Sequence, residues 1–138
     1  MPAAVPMGEL VGGLTFAQTF VSRCSKLSEI DLDFATYARR NTHPVVVGLT
    51  DPATQRVIFK RRLEAPRIRD NTWLSFVFPA LKNSRDRTYS MWVTSPRSLP
   101  GNAVTLWRSA SDTYPRGRAT INGKPVNGDI AFSYACAN

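Results

Sequence analysis

One histidine, two cysteines and a short run of carboxylates are the residues of this chain with the most familiar reactive chemistry. His43 stands beside Pro44 at the start of a β-branched run, and any serine or cysteine nucleophile would need it as base. No nucleophile elbow or cysteine-centred signature accompanies it. A lone histidine with two distant cysteines does not make a zinc site of ordinary ligand composition. Glu29, Asp31 and Asp33 share one face of an extended stretch. Paired carboxylates can hydrolyse glycosides, but the same spacing describes a plain solvated strand face. Val11-Gly12-Gly13 and Asn127-Gly128 lack the lysine and following helix of a phosphate cradle. The expectation is a chain without a catalytic centre, recognisable metal ligands or cofactor, with an oxygen-only calcium site left open because it leaves few marks in a sequence.

Binding chemistry is better represented. The polar patch Arg39-Arg40-Asn41 follows Tyr37 closely, and Asp70-Asn71 precedes Trp73. Trp92 and Trp107 stand out of register with the apolar residues of their own strands, which favours exposure or a second packed face. Exposed Trp and Tyr rings beside Arg, Asn and Asp on a β-sandwich are the composition of a sugar site: rings stack on pyranose faces and planar polar groups hold hydroxyls. Each residue also has a structural alternative. The tryptophans, Trp73 above all, could fill a core, and Arg39 and Arg40 could belong to a strand-end turn and pair with Asp70 or Asp129.

The elements that must position these residues follow from local alternation. In Leu27–Asn41, Ile30, Leu32 and Phe34 alternate with Glu29, Asp31 and Asp33, the two-residue period of a strand wet on one face. This stretch is expected to be a long central strand that delivers Arg39-Arg40-Asn41 to one edge of a sheet. Before it, Leu14–Val21 alternates in the same way. After it come Val45–Leu49, Arg56–Leu63, Trp73–Phe78, Thr88–Ser95 and the short Ala103–Trp107. Ser109–Gly117 reads as a loop, Arg118–Val126 as a hairpin turning at Asn122-Gly123, and Asp129–Cys136 as the closing strand. Some eight or nine short strands, separated by Pro, Gly, Asn and Asp and without a convincing helix, predict an all-β protein: an antiparallel, jelly-roll-like sandwich.

The chain has 138 residues, 43% hydrophobic and 20% charged, which suits one globular domain over residues 14–138. Residues 1–13, with two prolines and an adjacent glycine pair, read as a linker or an artificial end, without the basic and apolar regions of a signal peptide. No apolar run approaches the roughly 20 residues that span a bilayer, so membrane insertion is not expected. The net charge of +8, from 14 Arg and 4 Lys against 10 acids, suggests an anionic partner. No signature of a nucleic-acid-binding fold is present, and the basic residues are spread along the chain, so nucleic acid is not the expected partner. Cys24 and Cys136 lie near the ends, where the first and last strands of a sandwich are often neighbours. A bridge between them is possible; two buried, reduced thiols are the alternative.

One resemblance extends over about Glu9–Tyr134. Gln18-Thr19-Phe20, Ala35-Thr36-Tyr37-Ala38-Arg39-Arg40-Asn41, Asp70-Asn71 with Trp73, Phe76 with Phe78, Ser84, Tyr89, Tyr114 with Gly117, Asn122-Gly123 and Gly128-Asp129-Ile130-Ala131-Phe132 occur in this order. In that order they resemble a β-sandwich accessory domain found beside bacterial glycosyltransferases and membrane proteins of surface-polysaccharide synthesis. The resemblance implies a glycan context, at the cytoplasmic or periplasmic face of a bacterial envelope, and no reaction. With the composition it leads to the expectation of a carbohydrate-binding module whose ligand, neutral or anionic, meets Tyr37, Arg39, Arg40, Asn41, Asp70, Trp92 and Trp107. A glycosyltransferase domain of the same or a partner chain is the implied neighbour. The alternative is a protein-interaction or oligomerisation module, and single-stranded nucleic acid is a weaker third reading.

Overall fold

A computed structural model describes residues 4–110 and 114–138. Its strands are β1 Ala4–Pro6, β2 Thr15–Val21, β3 Lys26–Ala35, β4 Val45–Asp51, β5 Arg56–Leu63, β6 Thr72–Lys82, β7 Thr88–Thr94, β8 Thr105–Ser109, β9 Ala119–Ile121, β10 Lys124–Pro125 and β11 Phe132–Cys136. One 3-10 turn, Ala65–Arg67, carries the chain past Pro66 between β5 and β6. Pairing is antiparallel throughout. One sheet of six strands runs β10-β9-β2-β7-β4-β5. The other has five: β3 pairs with β6 on one side and with β11 and β8 on the other, and β1 adds to β8.

The chain is thus an all-β sandwich of two antiparallel sheets, as the alternation predicts. Phe16 and Phe20 of β2, Ile30, Leu32 and Phe34 of β3, Val47 and Leu49 of β4, Phe76 of β6 and Met91 of β7 point inward and are almost completely buried. Among the described strands, only the hairpins β4–β5 and β9–β10 keep consecutive strands in one sheet; the other consecutive pairs lie in different sheets. Asn122 and Gly123, both at positive φ, make the turn of the second hairpin, as the dipeptide predicts.

Three expectations need correction. Among the described residues there are eleven strands rather than eight or nine, because Asn122-Gly123 splits one segment in two and because β1 exists. The segment expected as a linker pairs with β8 through Ala4–Pro6, buries Met7 and Leu10, and supplies Glu9 to an ion pair with Arg39. The long strand ends at Ala35, not Asn41: Thr36-Tyr37-Ala38-Arg39 turns sharply, with Tyr37 and Ala38 both left-handed. The loop expected at Ser109–Gly117 lies partly outside the described residues, at 111–113.

Cys24, just after β2, is joined by a disulfide to Cys136 at the end of β11, with Cα atoms 6.3 Å apart. At the opposite flank Phe59 of β5 stacks on Phe76 and Phe78 of β6, and the Arg61 guanidinium donates 3.0 Å to the Val77 carbonyl, closing the gap between the sheets.

Candidate functional site

The turn after β3 is held from several directions. The Arg39 N–H is 3.4 Å from the Thr36 carbonyl, and the Asn41 amide donates 3.2 Å to that same carbonyl. The Asn41 Oδ1 accepts from Arg39 Nε at 3.2 Å, so Asn41, 3% exposed, spends its side chain inside the turn. Arg39 Nη2 donates to the Glu9 carboxylate and, at 3.0 Å, to the Ala103 carbonyl, while its guanidinium lies 4.8 Å from the centre of the Tyr37 ring. Arg39 therefore pairs with Glu9, not with Asp70 or Asp129. Asp70 Oδ1 caps the Thr36 N–H at 2.7 Å.

The turn leaves Tyr37 and Arg40 exposed, with exposed Asp70 beside them. Two adjoining clefts, sharing Ala38 and Asp70, open here. The first, about 400 Å³, is lined by Arg39, Arg40, Asn41, Pro66, Arg69 and Asp70. The second, about 260 Å³, runs between Tyr37 and Trp107 over Pro6 and Asn71. Trp107 is fixed there by its indole N–H, which donates 2.8 Å to Asn71 Oδ1. Six of the seven residues expected to bind, all but Trp92, thus meet at one end of the sandwich. Four of the six also brace it: Arg39 and Asn41 inside the turn, Asp70 as a cap and Trp107 through Asn71.

Trp92 is elsewhere, on the outer face of the six-stranded sheet, with its indole N–H donating 2.8 Å to Thr50 Oγ1. The two outer faces differ in charge. β3 carries Glu29, Asp31 and Asp33 outward, and Asp31 accepts a 2.7 Å hydrogen bond from Ser133 of β11. The Asp31 and Asp33 Oδ1 atoms are buried without a hydrogen-bond partner. Burial raises the Asp33 pKa from its ordinary value, and nearby Asp70 adds to the rise. The Glu29 pKa is also raised, by its hydrogen bond to Asp31 and by that residue's charge.

A larger groove of about 420 Å³ crosses the edge at β11, between Trp73, Arg23, Arg108, Phe132 and Tyr134. Trp73, the tryptophan for which a core position was above all the alternative, is 46% exposed and walls this groove. The signal was present in the alternation of β6, where Phe76 and Phe78 point inward and odd-numbered Trp73, Ser75 and Val77 point out. Among the described residues no group of three or more His, Cys, Asp or Glu side chains is placed to hold a metal ion, and no helix is long and apolar enough to cross a membrane. No family model matches the chain, and no curated protein matches it.

Proposed function

We propose that this chain is a non-catalytic carbohydrate-binding module that serves bacterial envelope-glycan synthesis beside a glycosyltransferase. The observation that carries this reading is the pair of adjoining clefts at the β3 end, where the Tyr37 and Trp107 rings stand beside Arg40, Arg69 and Asp70. A sugar ring stacks on Tyr37 or Trp107, Asp70 accepts from its hydroxyls, and the Arg40 guanidinium donates to hydroxyl or carboxylate oxygens. Tyr37 and Ala38 occupy left-handed backbone, at φ of 59° and 55°, a conformation that costs a non-glycine residue roughly 1–2 kcal/mol. Such strain is often retained where it orients a functional side chain, here the Tyr37 ring. The disulfide favours the oxidising, periplasmic side of the envelope.

A glycan array probed with the purified chain and with Tyr37→Ala and Arg40→Ala tests the proposal. Selective retention of a glycan by the parent chain, lost in both variants, is the expected result. A blank array would reject carbohydrate binding and favour a protein-interaction role.

A further inference from the structure

The clefts leave Trp92 unexplained. It occupies the centre of the opposite face, in a row that runs Ala17 of β2, Trp92 of β7, Gly48 of β4 and Lys60 of β5. Gly48 lies in the middle of a strand paired on both sides, where glycine costs roughly 0.5–1 kcal/mol relative to alanine. Its φ is not what requires glycine here. A Cβ at Gly48 would collide with the indole of Trp92, so the missing side chain is the seat on which the ring lies. Thr50 fixes the ring's orientation through the indole N–H. A large aromatic side chain is thus held against the sheet on a solvent-facing surface, with little freedom left to lose on binding.

Its surroundings select a ligand. Lys60 stands next to Gly48, and Arg62 is two residues further along β5 on the same face. Arg97 lines a shallow pocket with Arg62 and Val46. Arg62 makes one exposed ion pair, with Glu64, which is too weakly held to cancel this patch. The outward positions of β2, β7, β4 and β5 contain no Asp or Glu, whereas those of β3 hold Glu29, Asp31 and Asp33. The sandwich is therefore basic on one broad face and acidic on the other, and a polyanion is steered to the Trp92 face.

We propose that this face is a second ligand site, which takes an acidic polysaccharide. A sugar ring stacks on Trp92, and carboxylates along the chain meet Lys60, Arg62 and Arg97. Hydroxyl side chains flank the ring, with Thr94 and Ser90 on β7 and Thr50 on β4. Single-stranded nucleic acid fits less well, because such platforms stack successive bases on several rings. The outward positions of these four strands hold one ring, Trp92. The inference rests on the carbohydrate reading above but places this ligand away from the Tyr37–Trp107 clefts.

Affinity gel electrophoresis of the whole chain tests it, with polygalacturonate, neutral dextran and a dT20 oligonucleotide as probes. Polygalacturonate should retard the parent chain. Trp92→Ala and the exposed pair Lys60→Glu/Arg62→Glu should each weaken retention at least about tenfold, a loss of about 1.4 kcal/mol. Gly48→Ala, which keeps the ring and the charges but displaces the ring, should weaken it too, whereas Tyr37→Ala should not. Retention should fall as salt rises from about 50 to 300 mM. Loss in Tyr37→Ala with retention in Trp92→Ala would overturn this site and leave the module reading standing. Stronger retardation by dT20 than by polygalacturonate would overturn it in favour of nucleic acid. No retention on polygalacturonate, with neutral glycans still bound on the array, would overturn it alone; a blank array as well would reject both readings.

Discussion

Two carboxylates respond to folding in opposite directions. Folding removes Asp33 from water and brings Asp70 near it, so its pKa rises. The ionised form is disfavoured in the native state. Asp33 therefore costs no stability below its unfolded pKa of about 3.9. The penalty grows as pH rises toward the folded value and persists above it. Asp33→Asn should raise the melting temperature at pH 7, with the gain shrinking toward pH 4 in a series of thermal melts. No gain at pH 7 would show that water or a counter-charge satisfies the carboxylate. Glu9 has the reverse sign: the Gly101 N–H, 2.8 Å from its carboxylate, and the Arg39 guanidinium lower its pKa. Its contribution is present above its unfolded pKa and is lost as pH falls through the folded value. Glu9 also braces, through Arg39, the turn that presents Tyr37 and Arg40.

At the scale of elements, strands are joined by a few buried polar side chains as well as by their ladders. Gln18 sits on the inward side of β2 between Phe16 and Phe20 and is completely buried. Its amide donates 3.0 Å to Asp129 Oδ1, and its carbonyl accepts from the Ile130 N–H at 2.9 Å. The other Asp129 oxygen accepts from the Tyr114 N–H at 2.7 Å. This junction fixes the segment that leads into β11 against β2. Gln18→Leu keeps the volume but removes a partner from both Asp129 and Ile130, and should cost about 2–3 kcal/mol in urea unfolding. A cost under about 1 kcal/mol would mean that the freed groups find other partners.

Over the whole molecule, the disulfide closes almost the full length of the chain, between residues 112 apart. A loop that long removes much conformational freedom from the unfolded state. Cys136→Ser should therefore cost about 2–5 kcal/mol, with a matching fall in melting temperature when the parent chain is reduced. Identical melts with and without reductant would contradict this. The same scale shows the acidic and basic faces, which arise because β3 turns its carboxylates out of one sheet while β5 turns Lys60 and Arg62 out of the other.

Much of the architecture was legible from alternation, because which side of a strand faces the core is a local property with a period of two. The strands around Phe16, Ile30, Val47 and Met91, and the turn at Asn122-Gly123, follow from their own neighbours in sequence. So did the outward placement of Trp92 and Trp107. Which strands stand side by side is set by pairing between distant segments, and no local pattern contains it. Only the tertiary structure brings Asp70 and Trp107 to the turn at Tyr37, draws Glu9 onto Arg39, and puts Trp92 on the opposite sheet over Gly48. It also turned four expected binding residues into braces of the site they surround. A hydrogen bond to a backbone carbonyl or N–H from across the fold decides whether a polar side chain is left for a ligand, and that partner is known only once the sheets have packed.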